Sequence, residues 1–592
     1  MKLVLDDSRR LTGKGLDWDY EGAILDAFVE GIDKQLVVDT WCIHIQQLLA
    51  DVGWSQEKYH WRIFEDGVSL LLSAPLDALY AATEINELAW ALTCQQLDPF
   101  AEKMDDLSVQ QKQQEIQQQI QAESNPALLN LIQQAKLHQV DWLLDDDEFS
   151  LGLGATCQSW PLTNLPALET IDWKKYASIP VALVTGTNGK STTVRLASAM
   201  INCSGIRCGV TSTDFVKVGN ELIDEGDYSG PMGARLLLRH PKTQVALLEV
   251  ARGGLLRRGL VIPEVEVALI TNIAEDHFGQ YGINNLDTLT QAKCIVAKAI
   301  HPQGIKKGQL ILNADDAQLV KAASKMQHMP QNISWFSLHE NSPVLKQYAG
   351  SDGQCFVRNE NIIYRESGAR KNTENAQSKL QQADEQQETL VLPFSQIPMT
   401  CNGAALHNVQ NALAAVSLAR RLGIDWNSIR HGLQSFQSNL NDNPGRGNFF
   451  KYNNAQVIMD FAHNAHGMKA MALMAKNIPA KRKMILISSA GDRSDLEIKN
   501  MTAAALEMQP DLLVIAEIKD YLRGRELNEV PQLISSKAIA LGMKPEQIIQ
   551  TESSLEGAEK ILAQIQPNEL ALLMALTQRE EIAQLINKNY IE

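Results

Sequence analysis

The chain has 592 residues, 45% of them apolar, enough for several buried cores and for roughly three or four domains. Its 70 Asp and Glu against 54 Lys and Arg leave a formal net charge of −16, which argues against nucleic acid as a partner. Eight cysteines without a Cys-x-x-Cys pair argue against a disulfide frame and a structural zinc site. No apolar run reaches the roughly 18 residues of a membrane span, and the start MKLVLDDSRR lacks the apolar stretch of a signal peptide. A cytoplasmic protein with no membrane partner is expected.

Residues 1–107 read as a small α+β domain, with a helix over 37–50, strands over 59–64 and 68–72, and a helix over 76–97. Residues 108–177 read as a helical, polar linker region, because 108–121 is dense in glutamine and poor in apolar residues. From 178 to 440, strand-like runs at 181–185, 245–250, 265–273 and 309–313 alternate with helical patterns, which implies a parallel sheet covered on both faces. A polar insertion over 366–388 reads as a mobile loop. Residues 441–592 hold a second alternating series, with runs at 457–461, 484–488, 512–515 and 570–574, fitting a smaller Rossmann-like sheet. The fold class is therefore α/β, a P-loop central domain followed by a Rossmann-like domain and preceded by a small α+β domain.

The run ending at Thr185 leads into Gly186-Thr187-Asn188-Gly189-Lys190-Ser191-Thr192 and then a helical pattern. A strand that turns through glycines into a helix directs backbone N–H groups, a helix N-terminus and one lysine at a single point, which suits a nucleoside triphosphate. The general P-loop pattern has a glycine where this chain has Val184, so the loop is a contracted one. ATP is the expected ligand, with Lys190 on its β/γ-phosphates and the Ser191 hydroxyl on Mg²⁺. Glu249 closes another apolar run, where parallel sheets put functional carboxylates.

The string Gly186 to Thr192 resembles the ATP loop of the Mur ligase superfamily, the amide-forming enzymes that include the peptidoglycan amino-acid ligases and folylpolyglutamate synthetase. Within it, Ala251-Arg252-Gly253-Gly254-Leu255-Leu256-Arg257 and Leu522-Arg523-Gly524-Arg525 resemble the C-terminal ligase module of cyanophycin synthetases. The resemblance runs from about residue 178 to near the C-terminus. It implies two Mg²⁺ ions held by Ser191, Glu249, His277 and Lys293, with Lys293 open to carbamylation. It also implies Lys190, His277 and Lys293 as catalytic groups, and Asn411, Arg446 and Asp460 as further nucleotide contacts. His463 and Asn464 would lie at the closing cleft, while Asp492, Arg493, Asp495, Arg523 and Glu526 would face the amine substrate, since a guanidinium seeks carboxylates. A homodimer is implied by family habit alone.

The stretch before the phosphate loop is too short for the second, ATP-grasp module of cyanophycin synthetases, so that half-reaction is expected to be absent. What remains is an ATP-dependent acid–amino-acid ligase, joining a small-molecule or peptide carboxylate to an amine through an acyl phosphate. A catalytically inactive ATP-binding or regulatory Mur-like protein is the alternative. A P-loop kinase or ATPase is a third reading.

Overall fold

A computed structural model describes residues 1–101, 103–276, 278–301, 306–326, 332–349, 353–366 and 387–588. Its first unit is a four-stranded antiparallel sheet in the order Lys2–Leu11, Gly22–Glu30, Gly67–Ser73, Tyr59–Phe64. Alternate residues of these strands, among them Ala23, Leu25, Ala27, Leu70 and Leu72, meet Trp41, Ile45 and Ile85 from the helices Lys34–Asp51 and Leu79–Leu97. The opposite face sets a small apolar cluster, Leu11, Ile24 and Leu71, beside buried polar groups: Asp26 accepts from Ser69 Oγ and pairs with Arg9 at 2.6 Å. The two strands absent from the sequence reading, Lys2–Leu11 and Gly22–Glu30, owe their concealment to these charges, which blur a period-two pattern.

The glutamine-rich stretch forms the helix Asp106–Glu123, whose one buried residue is Ile116. The region expected as a linker also holds the helix Pro126–Leu137 and a three-stranded sheet, Trp142–Leu144, Glu148–Leu151 and Gln158–Pro161. Strands of three and four residues carry too few positions for periodicity to register.

Among the described residues the central sheet has eleven strands. Val181–Thr185 runs parallel between Val245–Glu249 and Val267–Ile270, with Glu249 opposite Val184 and Ile270 opposite Thr185. Two core clusters cover its two faces, as the unbroken apolar strands require. Antiparallel strands cap both ends of the sheet: Phe215–Val218 and Glu221–Glu225 at one, Asn361–Glu366 and Gln387–Pro393 at the other. Most of the insertion read as a mobile loop, 367–386, lies outside the described residues.

The last sheet has six strands, Asn448–Tyr452, Ala455–Asp460, Leu570–Met574, Lys483–Ile487, Leu512–Ala516 and Ile548–Thr551 in spatial order. Its first pair is antiparallel and the rest are parallel. Among the described residues, no helix is long and apolar enough to cross a membrane.

Candidate active site

Three neighbouring strands of the central sheet deliver their carboxyl ends to one point, where open α/β sheets place ligands. The middle one continues into the phosphate loop and then the helix Lys190–Cys203. Both loop glycines are required by contact and by conformation. A Cβ at Gly186 (φ +145°) would stand 1.9 Å from Thr271 Oγ1, and one at Gly189 (φ +87°) 2.2 Å from Asn411 Oδ1. Gly189→Ala is thus expected to cost about 1–3 kcal/mol in backbone strain alone, before Asn411 is displaced. A lower melting temperature together with lost ATP binding would register it.

The next strand's end builds the loop's mould. Thr271 Oγ1 and Asn272 Nδ2 donate to the Asn188 carbonyl at 2.6 and 3.0 Å, and Asn272 Oδ1 accepts from Asn188 N. Behind them, Asn313 Nδ2 donates to Thr271 O. Asp316 accepts from Ile273 N at 2.6 Å while it caps the helix Ala317–Lys325. The Asn313–Asp316 turn therefore supports the loop from the outside.

Of the charged groups here, Lys293 and Glu249 are buried and Lys190 is half-buried. Lys190 Nζ donates to the Gly186 and Thr187 carbonyls at 3.1 and 3.0 Å, and burial draws its ammonium below the ordinary range, against the pull of Glu249. Lys293, 4% exposed at the end of the helix Leu286–Lys293, donates to the Gly186 carbonyl at 2.8 Å. Burial, and then the neighbouring Lys190, hold it well below its usual value. Glu249, 2% exposed, accepts from Ser191 Oγ at 3.1 Å through Oε1. Its Oε2 is buried without a hydrogen-bond partner, and burial pushes its carboxyl upward despite Lys190, Arg446 and Arg195.

An unsatisfied buried carboxylate oxygen beside a serine hydroxyl fits a hard cation, since magnesium commonly takes one or two protein oxygens and completes its shell with water and phosphate. Among the described residues there is no cluster of three or more His, Cys, Asp or Glu that could hold a metal ion. His277 lies outside the described residues. Its neighbour Asp276 pairs with Arg493 of the last domain at 3.1 Å.

That last domain reaches the phosphate loop directly. Asn464 caps the helix Ala465–Asn477 and exchanges two amide hydrogen bonds with Asn188, each 3.2 Å, while His466 Nδ1 lies 2.9 Å from Asn188 Nδ2. Arg446 Nη2 donates to Thr213 Oγ1 at 3.3 Å, and its Nε is buried without a partner. Asp460, buried at its strand's end, accepts from Ala462 N at 2.7 Å; burial raises its carboxyl, opposed by Arg446. Phe461 is stacked by Arg446 and Arg579 at 5.1 and 4.9 Å. The His463 ring stands 3.1 Å from the Phe461 carbonyl.

The residues expected at the amine substrate pair across two loops: Asp492 with Arg523, and Asp495 with Arg525 at 2.9 Å. Glu526 is exposed on the second loop. Thr192 lies in the loop helix, with Asn443 Nδ2 donating to its hydroxyl at 3.3 Å.

Several residues of the site escaped the sequence reading. Asp214 binds Arg195 and lies 3.6 Å from Arg579, and Thr213 Oγ1 stands 3.4 Å from Ser191 Oγ. Both follow the strand Cys208–Thr211, at the same sheet edge as Glu249. That edge position was the available signal, but four-residue strands are weak markers. His466 and Arg579 carried none, because their partners are distant in sequence, and Arg195 reads as an ordinary helix arginine.

Residues 184–419 match the Mur ligase middle domain, and 445–576 match the Mur ligase glutamate ligase domain. A cyanophycin synthetase of Crocosphaera subtropica is 32% identical over 357 residues, covering 60% of this chain and 38% of its own. A UDP-N-acetylmuramoyl-tripeptide–D-alanyl-D-alanine ligase of Synechocystis is 25% identical over 353 residues, 58% of this chain and 63% of its own. The structure of E. coli FolC with DHPP and ADP shares 18% identity at a TM-score of 0.49, over 70% of this chain and 89% of that one. This chain thus spans well under half the length of the cyanophycin synthetases it matches.

Proposed function

We propose that this chain, which carries the middle and C-terminal domains of the Mur ligase family, is an ATP-dependent, ADP-forming ligase that makes one amide bond per ATP between a carboxylate and an amine. The observation that carries the reading is the set of groups around the loop: a carboxylate oxygen of Glu249 without a hydrogen-bond partner, the Ser191 hydroxyl, the buried Lys293 and half-buried Lys190, and a second domain seated on Asn188.

A carboxylate is a poor electrophile until its oxygen is phosphorylated. In the proposed reaction its oxygen attacks the γ-phosphorus of ATP, and ADP leaves. The amine nitrogen then attacks the acyl carbon of the resulting acyl phosphate, loses a proton, and phosphate departs. Lys190 would leave its loop carbonyls to meet the negative phosphate oxygens, and the loop N–H groups would bind the rest. Ser191 and Glu249 would hold magnesium, which supplies positive charge against the transferring phosphoryl group. Arg446, with one N–H unspent, fits a nucleotide phosphate, and Asn411 against Gly189 fits a nucleotide contact at the loop's far side.

Carbamylation of Lys293 would put an anion, rather than a disfavoured ammonium, beside Lys190 and would add oxygen donors for a second ion with His277. The acid and base pairs Asp492–Arg523 and Asp495–Arg525 lie on the last domain, where a charged amine such as a basic amino acid could exchange partners with them.

The test is condensation. Purified protein with Mg·ATP is supplied with pools of amino acids and acidic peptides, phosphate release is followed, and products are weighed by mass spectrometry. A new mass equal to the two substrates less one water, with one ADP each, is the expected outcome. ATP binding without a condensation product from any pool would favour the inactive alternative.

A further inference from the structure

The family matches begin at residue 184 and leave the N-terminal α+β unit without a role. The face of its sheet opposite the helices, however, grips the two connections that leave the metal side of the site. The first runs from Glu249 into the helix Arg252–Arg258. There Arg9 Nε donates to Leu256 O at 3.2 Å, Thr12 N to Arg258 O at 3.0 Å, and Leu260 N to Lys14 O at 2.9 Å.

The second connection, Phe278–Asn284, leads into the helix that ends at Lys293. Its middle residue, Tyr281, sits at φ +55°, a conformation uncommon for a bulky side chain that persists only where surroundings impose it. The surroundings are the N-terminal unit and the first connection. Arg9 lies 4.5 Å over the Tyr281 ring, Arg62 Nη2 donates to the Tyr281 carbonyl at 3.1 Å, and Arg257 Nε donates to its hydroxyl at 2.7 Å. Asn284 Nδ2 reaches Asp66 at 3.2 Å, and Arg252 Nη2 reaches Gln280 at 2.8 Å.

Arg9 and Arg62 are themselves immobilised. Arg9, 8% exposed, pairs with Asp26, and Arg62 with Asp17 at 2.8 Å and Ser69 at 3.0 Å. One guanidinium is thus buried and the other half-buried, and each is fixed by a carboxylate before it meets Tyr281. Packed side chains that fix the groups behind ligands orient those ligands and tune what they bind.

We propose that the N-terminal unit is a positioning element of the ligase site: Arg9 and Arg62, acting through Tyr281 and the 252–258 helix, set the placement of Glu249 and Lys293 and thereby the affinity for magnesium nucleotide. The inference rests on the nucleotide site described above.

The full-length chain and its Tyr281→Ala, Tyr281→Phe and Arg9→Met variants test it, with calorimetric titration of ADP at fixed Mg²⁺ and hydrogen exchange of residues 252–258 and 278–293. Tyr281→Ala and Arg9→Met are expected to weaken Mg·ADP binding about tenfold and to speed exchange in both segments. Tyr281→Phe, which keeps the ring under Arg9 and the carbonyl on Arg62, should restore most of the affinity. Wild-type affinity in a folded Tyr281→Ala or Arg9→Met protein, or a Phe variant as weak as Ala, overturns the inference. A wild-type chain that binds no Mg·ADP overturns the site reading, and this inference with it.

Discussion

Lys190→Ala should abolish ATP-dependent condensation while the chain stays folded. The ammonium is held by two loop carbonyls at 3.0–3.1 Å, and its removal takes away a preorganised positive charge where, in the proposed reaction, phosphate charge builds in the transition state. Loss of one such donor costs roughly 100- to 1,000-fold in turnover. The fold should survive, because burying a lysine whose ammonium is already disfavoured is a burden on the free protein. Single-turnover formation of ADP and product, with a melting curve beside it, checks both halves. Turnover within a factor of a few of the parent would contradict the assignment of the loop.

Glu249→Gln is the second change of this size, and its two effects should have opposite signs. The glutamine keeps an acceptor for Ser191 Oγ but removes the anionic oxygen that has no partner in the free protein. A metal held at phosphate oxygens contributes several kcal/mol to the transition state, so roughly 3 kcal/mol or more, about a hundredfold in rate, should be lost. Burial raises the Glu249 carboxyl, so its ionisation opposes folding above the usual carboxylate range, and the neutral amide relieves that. The melting temperature of the nucleotide-free variant should therefore equal or exceed the parent's at neutral pH. A titration of turnover against Mg²⁺, set beside thermal melts, separates the two. A variant with unaltered Mg²⁺ dependence would remove Glu249 from the metal's neighbourhood.

The phosphate loop, Glu249 and the strands around them were legible because they obey local rules. An apolar run, a turn with glycines and a Gly-Lys-Ser triplet lie within about a dozen residues, and the alternation of strand and helix announces the parallel sheet. Arg446, Asp460 and Asn464 were legible only through resemblance, since an arginine after Pro-Gly or an asparagine before a helix is ordinary in itself. Asp214 and Arg579 were not legible in either way. Their meaning is a meeting of chain segments hundreds of residues apart, and no spacing rule reaches that far.

From its residues alone the protein was committed to an α/β fold, a glycine turn between a strand and a helix, and a carboxylate at a strand end, because these depend on neighbours along the chain. The seating of Asn464 on Asn188, the pairing of Arg493 with Asp276 and the grip of Arg9 on Tyr281 belong to the folded state. Each requires two separately folded units to present complementary polar groups at hydrogen-bonding distance, and such complementarity is a property of surfaces in space rather than of order in sequence.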